Sequence, residues 1–161
     1  MAEGRLKIVV FGSFNAGKSS FIQALDPGSR HIEATSKEGA TTVAFDFGRL
    51  QVRDWAVYLF GTPGQERFEF VREILARGMD GAIIVVDATR GVDAMTRHLY
   101  DRLKELEVPL AFMANKCDCP GAAPGAISRD LPGETVYPIS ARNGENVYAA
   151  LDAFVATLVA G

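Results

Sequence analysis

The 161-residue chain is 48% hydrophobic and 23% charged, the balance of an ordinary folded domain and not of a disordered one. A net charge of −3 advertises no basic surface and argues against nucleic acid as a main partner. Unbroken apolar runs such as Ala82 to Val86 are far too short to cross a bilayer, and neither a signal-like start nor a lipidation signal is read in the sequence. The expectation is one cytoplasmic domain over 1–161, with no lipid anchor or transmembrane segment. Cys117 and Cys119 lie too close in sequence for a structural disulfide and lack the further ligands of a zinc site, so both read as reduced.

Taken in order, Leu6 to Phe11 is a short apolar strand, and Ser19 to Leu25 carries Phe21, Ile22 and Leu25 at helical spacing before the breakers Asp26-Pro27-Gly28. The polar stretch from there to Thr42 reads as a long mobile loop. Thr42 to Gly48 alternates, with Val43, Phe45 and Phe47 on one face. A turn near Arg53-Asp54 joins it to a hairpin partner, Trp55 to Phe60, which makes one strand antiparallel in a sheet otherwise built from crossovers. Gln65 to Arg77 is helix-like, with Phe68, Val71, Ile74 and Leu75 on one side.

Gly81 to Val86 is a strand buried on both faces, closed by Asp87, and Met95, Leu99, Leu103 and Leu106 mark a helix over 93–106. Pro109 to Ala114 is the next strand, a short helix fits near Ile127 to Leu131, Thr135 to Ile139 is the last strand, and Val147, Leu151, Phe154 and Leu158 mark a closing helix to Gly161. Alternation of strand and helix predicts an α/β three-layer fold with six strands, one antiparallel, about five helices, and ligands at the carboxyl ends of the strands.

Three stretches carry chemistry. Gly12-Ser13-Phe14-Asn15-Ala16-Gly17-Lys18-Ser19 fits GxxxxGK[ST] at a strand-to-helix junction. In that pattern backbone N–H groups wrap a polyphosphate, the lysine neutralises it, the hydroxyl binds Mg²⁺, and the helix start faces the anion. Asn115-Lys116-Cys117-Asp118 follows a buried strand. There the Asp118 carboxylate would accept from guanine N1–H and its exocyclic amine, which adenine cannot match, for a discrimination of about 10⁴-fold. Lys116 would lay its stem along the purine and Asn115 would tie this loop to the phosphate loop. Ser140-Ala141-Arg142, after the last strand, is a weaker signal whose Ala141 N–H would meet guanine O6.

Together these residues resemble the Ras-superfamily small GTPases from Arg5 to Val159. The similarity is to Rab-like members through Gly64-Gln65-Glu66-Arg67-Phe68 and Thr42 to Phe47, and to prokaryotic small GTPases with Roadblock-type regulators through Phe60-Gly61-Thr62-Pro63-Gly64-Gln65. The resemblance implies a Ras-like G domain and a GTP-hydrolysing switch with loops near 30–42 and 61–77, served by an activator, an exchange factor and an effector. It implies that Asn15, Ala16, Gly17, Lys18, Ser19 and Ser20 hold the phosphates, and that Ser19 and Thr42 ligate Mg²⁺, with Thr41 as the rival for Thr42. It further implies that Gly64 donates its amide to the γ-phosphate and that Gln65 orients the attacking water, beside Lys18.

This chain departs from the pattern in three places. Gly61 stands where the family has an aspartate, which predicts weaker hold on magnesium and a shallow Mg²⁺ dependence of nucleotide affinity. Phe14 crowds the place of Gln65, which predicts slow hydrolysis. The helix between Asp118 and Ser140 is abbreviated. Phe47 and Phe60 match effector-facing positions of the Rab-like members and Phe70 is a candidate exposed aromatic beside them on the second switch, with core packing as the alternative for each. Two rival functions are a nucleotide-locked scaffold and a phosphate-loop kinase, the latter disfavoured by Asn115 to Asp118.

Overall fold

The computed structural model describes residues 4–13, 15–35, 42–61 and 78–160. Seven strands form one sheet: β1 (Gly4–Gly12), β2 (Arg30–Thr35), β3 (Thr42–Val52), β4 (Trp55–Gly61), β5 (Gly81–Asp87), β6 (Leu110–Asn115) and β7 (Val136–Pro138), in the order β2-β3-β4-β1-β5-β6-β7. The pairs β1–β4, β1–β5, β5–β6 and β6–β7 are parallel, whereas β3 is antiparallel to both of its neighbours. Four helices lie among the described residues: α1 (Lys18–Leu25), α2 (Ala94–Glu105), α3 (Pro124–Asp130) and α4 (Val147–Val159). The helix expected over 65–77 falls outside them.

The α/β class and the single reversed strand, β3, agree with the sequence reading. The polar stretch expected to be a loop after Gly28 contains β2 instead, a seventh strand paired with β3 from Arg30↔Phe47 to Thr35↔Thr42. An edge strand is held by main-chain hydrogen bonds to one neighbour and does not need an apolar face, so apolar alternation gives it little signal.

Alternation within each central strand builds the layers. Leu6, Ile8 and Val10 of β1 join Ile83, Val85 and Met113 in a cluster with Phe21 and Ile22 of α1 and Leu151 and Phe154 of α4. Val9 and Phe11 turn the other way, joining Ile84, Val86 and Phe112 beneath Leu99 and Leu103 of α2 and Ile127 of α3. Both faces of β1 and β5 are therefore covered, as unbroken apolar runs in parallel strands require. Local devices set the element ends. Arg53, at φ 56°, turns the hairpin between β3 and β4. The Asp93 carboxylate caps α2 by accepting from Thr96 N at 2.8 Å. Asp26 ends α1, its carboxylate accepting from Gly28 N at 3.0 Å and from Arg49 N of β3 at 2.8 Å.

β1 is the middle strand. After it the chain fills one side with β2 to β4 and then crosses to the other flank of β1 with β5, so the carboxyl ends of β1 and β5 form a topological switch point where α/β sheets place ligands. Among the described residues no helix is long and apolar enough to cross a membrane. Leu103 of α2 is fully buried in the cluster it shares with Ile84 and Phe112. Leu103→Ala is expected to cost about 2–5 kcal/mol, read from the urea midpoint, as cavity formation in a close-packed core does.

Candidate functional site

The stretch after β1 turns straight into α1. Asn15 (φ 68°) and Gly17 (φ 106°) both take left-handed backbone, and Ala16 N donates to Ser13 O at 3.0 Å to close the loop. Gly17 caps α1 without any side-chain hydrogen bond, which leaves the first-turn N–H groups of the helix as donors at the cleft. A side chain at Gly17 is barred twice, by its φ and by the Asn115 amide nitrogen, which a Cβ would overlap.

Asn115 ends β6 and is 3% exposed. Its Nδ2 donates to Ala16 O at 2.9 Å, and its Oδ1 accepts from Ala141 N at 2.9 Å. One amide side chain thus joins the phosphate-loop stretch, the end of β6 and the segment after β7. In the same layer the Ser140 hydroxyl donates to Asp118 Oδ1 at 2.8 Å, which turns the carboxylate toward the segment after β7. Lys116 adopts left-handed backbone (φ 69°) and sends its ammonium to Asp87 Oδ2 at 3.0 Å. Burial opposes the charge on Asp87, but hydrogen bonds from Thr89 and Lys116 outweigh it and hold the carboxyl below its ordinary value.

Two adjoining cavities result. One, of about 1030 Å³, runs along Ser13 and Asn15 to Ser20 and on to Asp46, Gly61, Asp87, Asp93 and Lys116. The other, of about 640 Å³, lies between Gly17, Ser20, Asn115, Lys116, Asp118, Ala141 and Arg142. Gly17, Ser20, Lys116 and Cys119 line both. A donor-rich cavity beside one walled by a carboxylate and a lysine stem matches a phosphate chain joined to a base.

Lys18 is the least comfortable group. Its Nζ donates to Gly12 O at 2.8 Å and Ser13 O at 3.4 Å, and burial pushes its pKa down to about 8, with the Asp46 carboxylate working in the other direction. The Ser19 hydroxyl donates to Asp46 Oδ2. Ser13 donates to the Asp93 carboxylate, at 2.9 and 2.7 Å from its two oxygens, and so ties the phosphate loop to the start of α2.

Of the residues singled out in sequence, Asn15, Ala16, Gly17, Lys18, Ser19, Ser20, Asn115, Lys116, Asp118, Ser140, Ala141 and Arg142 converge on these two cavities. Thr42 opens β3, opposite Thr35. Thr41, Gly64, Gln65, Phe14 and Phe70 lie outside the described residues. Phe47 and Phe60 are half-buried partners across the β3–β4 ladder, with ring centroids 5.2 Å apart, and Lys7 Nζ sits 5.3 Å from the centre of the Phe60 ring. Cys117 and Cys119 are free thiols. Sequence reasoning missed Asp46, Asp87 and Asp93. The first was legible from hairpin register, and the second from its place at the end of a buried strand facing the same edge as Asn115.

The family model for the elongation factor Tu GTP binding domain matches residues 3–160. An uncharacterized protein of Methanocaldococcus jannaschii is 35% identical over 118 residues, 73% of this chain and 74% of that one. Translation initiation factor IF-2 of Alkaliphilus oremlandii is 31% identical over 157 residues, 90% of this chain but 21% of the factor's own length. Among solved structures, elongation factor SelB from Methanococcus maripaludis, in complex with a GTP analogue, superposes with a TM-score of 0.74 at 22% identity, over 100% of this chain and 35% of that one. The G domain of the T. maritima FeoB iron transporter does so at 0.70 and 23%, over 94% of this chain and 97% of that one. At such identities the superpositions carry the fold alone.

The depressed Lys18 has a sign that solution measurements can read. Below about pH 8 the folded and unfolded chains both hold its proton and the burial penalty is fully present. Between there and the ordinary 10.5 the unfolded chain binds more protons, so the stability of the nucleotide-free protein rises with pH. Lys18→Met is expected to flatten that rise relative to the parent chain, measured by urea unfolding at about pH 7 and about pH 10.

Proposed function

The chain belongs to the family of the elongation factor Tu GTP binding domain, and from that premise we propose that it is a guanine-nucleotide switch that hydrolyses GTP to GDP and phosphate. The observation that carries this reading is the Asn115 side chain, which holds the phosphate-loop stretch and the Asp118 and Ala141 segments around one pair of cavities. In this reading Asp118, oriented by Ser140, accepts from guanine N1–H and N2–H, the Ala141 N–H faces O6, and the stem of Lys116 lies along the purine while Asp87 holds its head. The phosphates lie on the amides of Asn15 to Ser20, with Lys18 beside them.

The charge of that phosphate chain would also settle Lys18, whose ammonium is disfavoured by burial and, among the described residues, bonds to carbonyl oxygens. The Ser19 hydroxyl and Thr42 are the residues that would hold Mg²⁺, and hard oxygen donors beside a carboxylate suit that ion. Bound there, it neutralises charge developing on the phosphate oxygens. Gly64 would donate its amide to the γ-phosphate and Gln65 would orient the attacking water. Segments near 30–42 and 61–77 would respond to that phosphate.

What this chain shares with the initiation factors is one domain, and the switch reading is confined to it, as a single G domain acting in the cytoplasm. The finer likeness to Rab-like and Roadblock-regulated proteins rests on residues 42–47 and 60–68. It makes Roadblock-type proteins the first activators to test, alongside exchange factors and effectors.

The deciding experiment identifies the nucleotide released on denaturing the purified protein and then measures single-turnover GTP hydrolysis. GDP with slow turnover supports the switch. Intact GTP without turnover supports a locked scaffold, and adenine nucleotide overturns both. Asp118→Asn replaces an acceptor with a donor facing the base. It is expected to weaken GDP binding by 10²-fold or more, on the order of 3 kcal/mol, and to favour the xanthine nucleotide, whose O2 accepts, in competition binding. Gln65→Ala is expected to lower the turnover rate at least about tenfold without weakening GDP binding, by single-turnover assay and fluorescent-nucleotide titration.

A further inference from the structure

Gly61 leaves a gap in the expected pattern, and the residue that faces it across the β3–β4 ladder is Asp46. Residues directly opposite in an antiparallel pair project from the same face of the sheet. Here that face is the one on which Val52, Val57 and Leu59 pack with α1. Asp46 accepts the Ser19 hydroxyl hydrogen and lines the same cavity as Lys18 and Ser19.

We propose that Asp46 is the acidic group that positions magnesium in this protein, reaching from β3 into the place that Gly61 of β4 leaves without a side chain. The inference rests on the nucleotide-switch reading. It assigns Asp46 a positioning role, holding the ligating hydroxyl of Ser19 and placing a negative charge beside the ion, and it leaves direct ligation to Ser19 and Thr42.

Steric facts explain why the carboxylate stands on β3. A Cβ at Gly61 would lie 2.6 Å from Ile22 Cδ1 and 3.2 Å from Asp46 Cβ, and Ile22 is 1% exposed. An aspartate at 61 would therefore have to displace a buried methyl group and crowd the carboxylate already present. One pair further along the same face, a Cβ at Gly48 would lie 2.7 Å from Ile22 Cγ2. The two glycines let α1 settle close against the β3–β4 hairpin, and that closeness brings Ser19, one turn before Ile22, within hydrogen-bonding reach of Asp46. The missing aspartate and the close helix are one arrangement.

Charge supports the same assignment. Mg²⁺ keeps several waters and is held through one or two carboxylates together with phosphate oxygens. Groups that orient a metal's ligands typically change metal affinity by about 10- to 100-fold when removed. Gly61 considered alone predicts a shallow magnesium dependence of nucleotide affinity, and Asp46 across the ladder reverses that expectation.

The test is the affinity of the purified full chain for fluorescent GDP, with excess Mg²⁺ and with EDTA. The parent chain is expected to bind at least about tenfold more tightly with magnesium. Asp46→Asn is expected to lose most of that ratio, its affinity falling in Mg²⁺ and not in EDTA, a split that general damage to the fold would not produce. Asp46→Ser repeats the test with a smaller side chain should the amide disturb α1. A parent-like magnesium ratio in folded Asp46→Asn or Asp46→Ser overturns the proposal, and so does a parent chain indifferent to EDTA. Absence of guanine-nucleotide binding under either condition overturns the switch reading itself.

Discussion

A single buried amide sets the geometry on which the site depends. Asn115 must donate to Ala16 O and accept from Ala141 N at the same time, because either partner left unpaired in a dry interior costs about 1–3 kcal/mol. Its Nδ2 sits where a Cβ of residue 17 would be, so the glycine of the phosphate loop answers to a side chain 98 positions away as much as to its own φ of 106°. Fixing that contact brings together three segments that the sheet order alone would leave as separate loops: the end of β1, the end of β6 and the turn after β7. The buried strands carry the weight of the fold, and Asn115 converts their alignment into a cavity of defined shape.

The polar groups at the carboxyl edge are arranged so that few depend on a ligand, with Lys18 as the exception. Asp87 is satisfied by Thr89 and Lys116, Asp118 by Ser140, and Asp93 by Thr96 and Ser13. Among the described residues Lys18 bonds to main-chain carbonyl oxygens, in a setting where burial works against its charge. Most of the site is thus assembled in advance, and the energetic reward of an anion is concentrated at one ammonium and at the start of α1. A site built in this way gains affinity by paying its ordering cost during folding and not during binding.

Much of this was legible in the sequence, for reasons that differ by element. The strands β1, β5 and β6 announce themselves because both faces are buried and the apolar run is unbroken. The phosphate loop is legible because its glycines and lysine obey backbone and charge constraints that few other residues satisfy. Arg30–Thr35 reads as loop in sequence because an edge strand is specified by its neighbour's free main-chain groups and hardly by its own side chains. Asp87 and Asp93 do not stand out in sequence because a carboxylate at a strand end or helix cap has a local explanation, and sequence does not show that Lys116 and Ser13 come to meet them.

Asp46 shows what composition and motif matching leave out. The hairpin turn at Arg53-Asp54 joins Val52 directly to Trp55, and from that pair the register runs without a bulge to Asp46↔Gly61. Counting back from the turn therefore places a carboxylate opposite the glycine that breaks the family pattern. A motif search treats position 61 as empty because it reads along one strand, whereas the chemistry at the magnesium position reads across two. Gly61, Gly48, Ile22 and Asp46 act together: the glycines admit the helix, the helix presents Ser19, and the neighbouring strand supplies the charge. Restoring an aspartate at 61 alone would thus bring a second carboxylate against Asp46 and a buried methyl group, which is why the two positions have to be read as a pair.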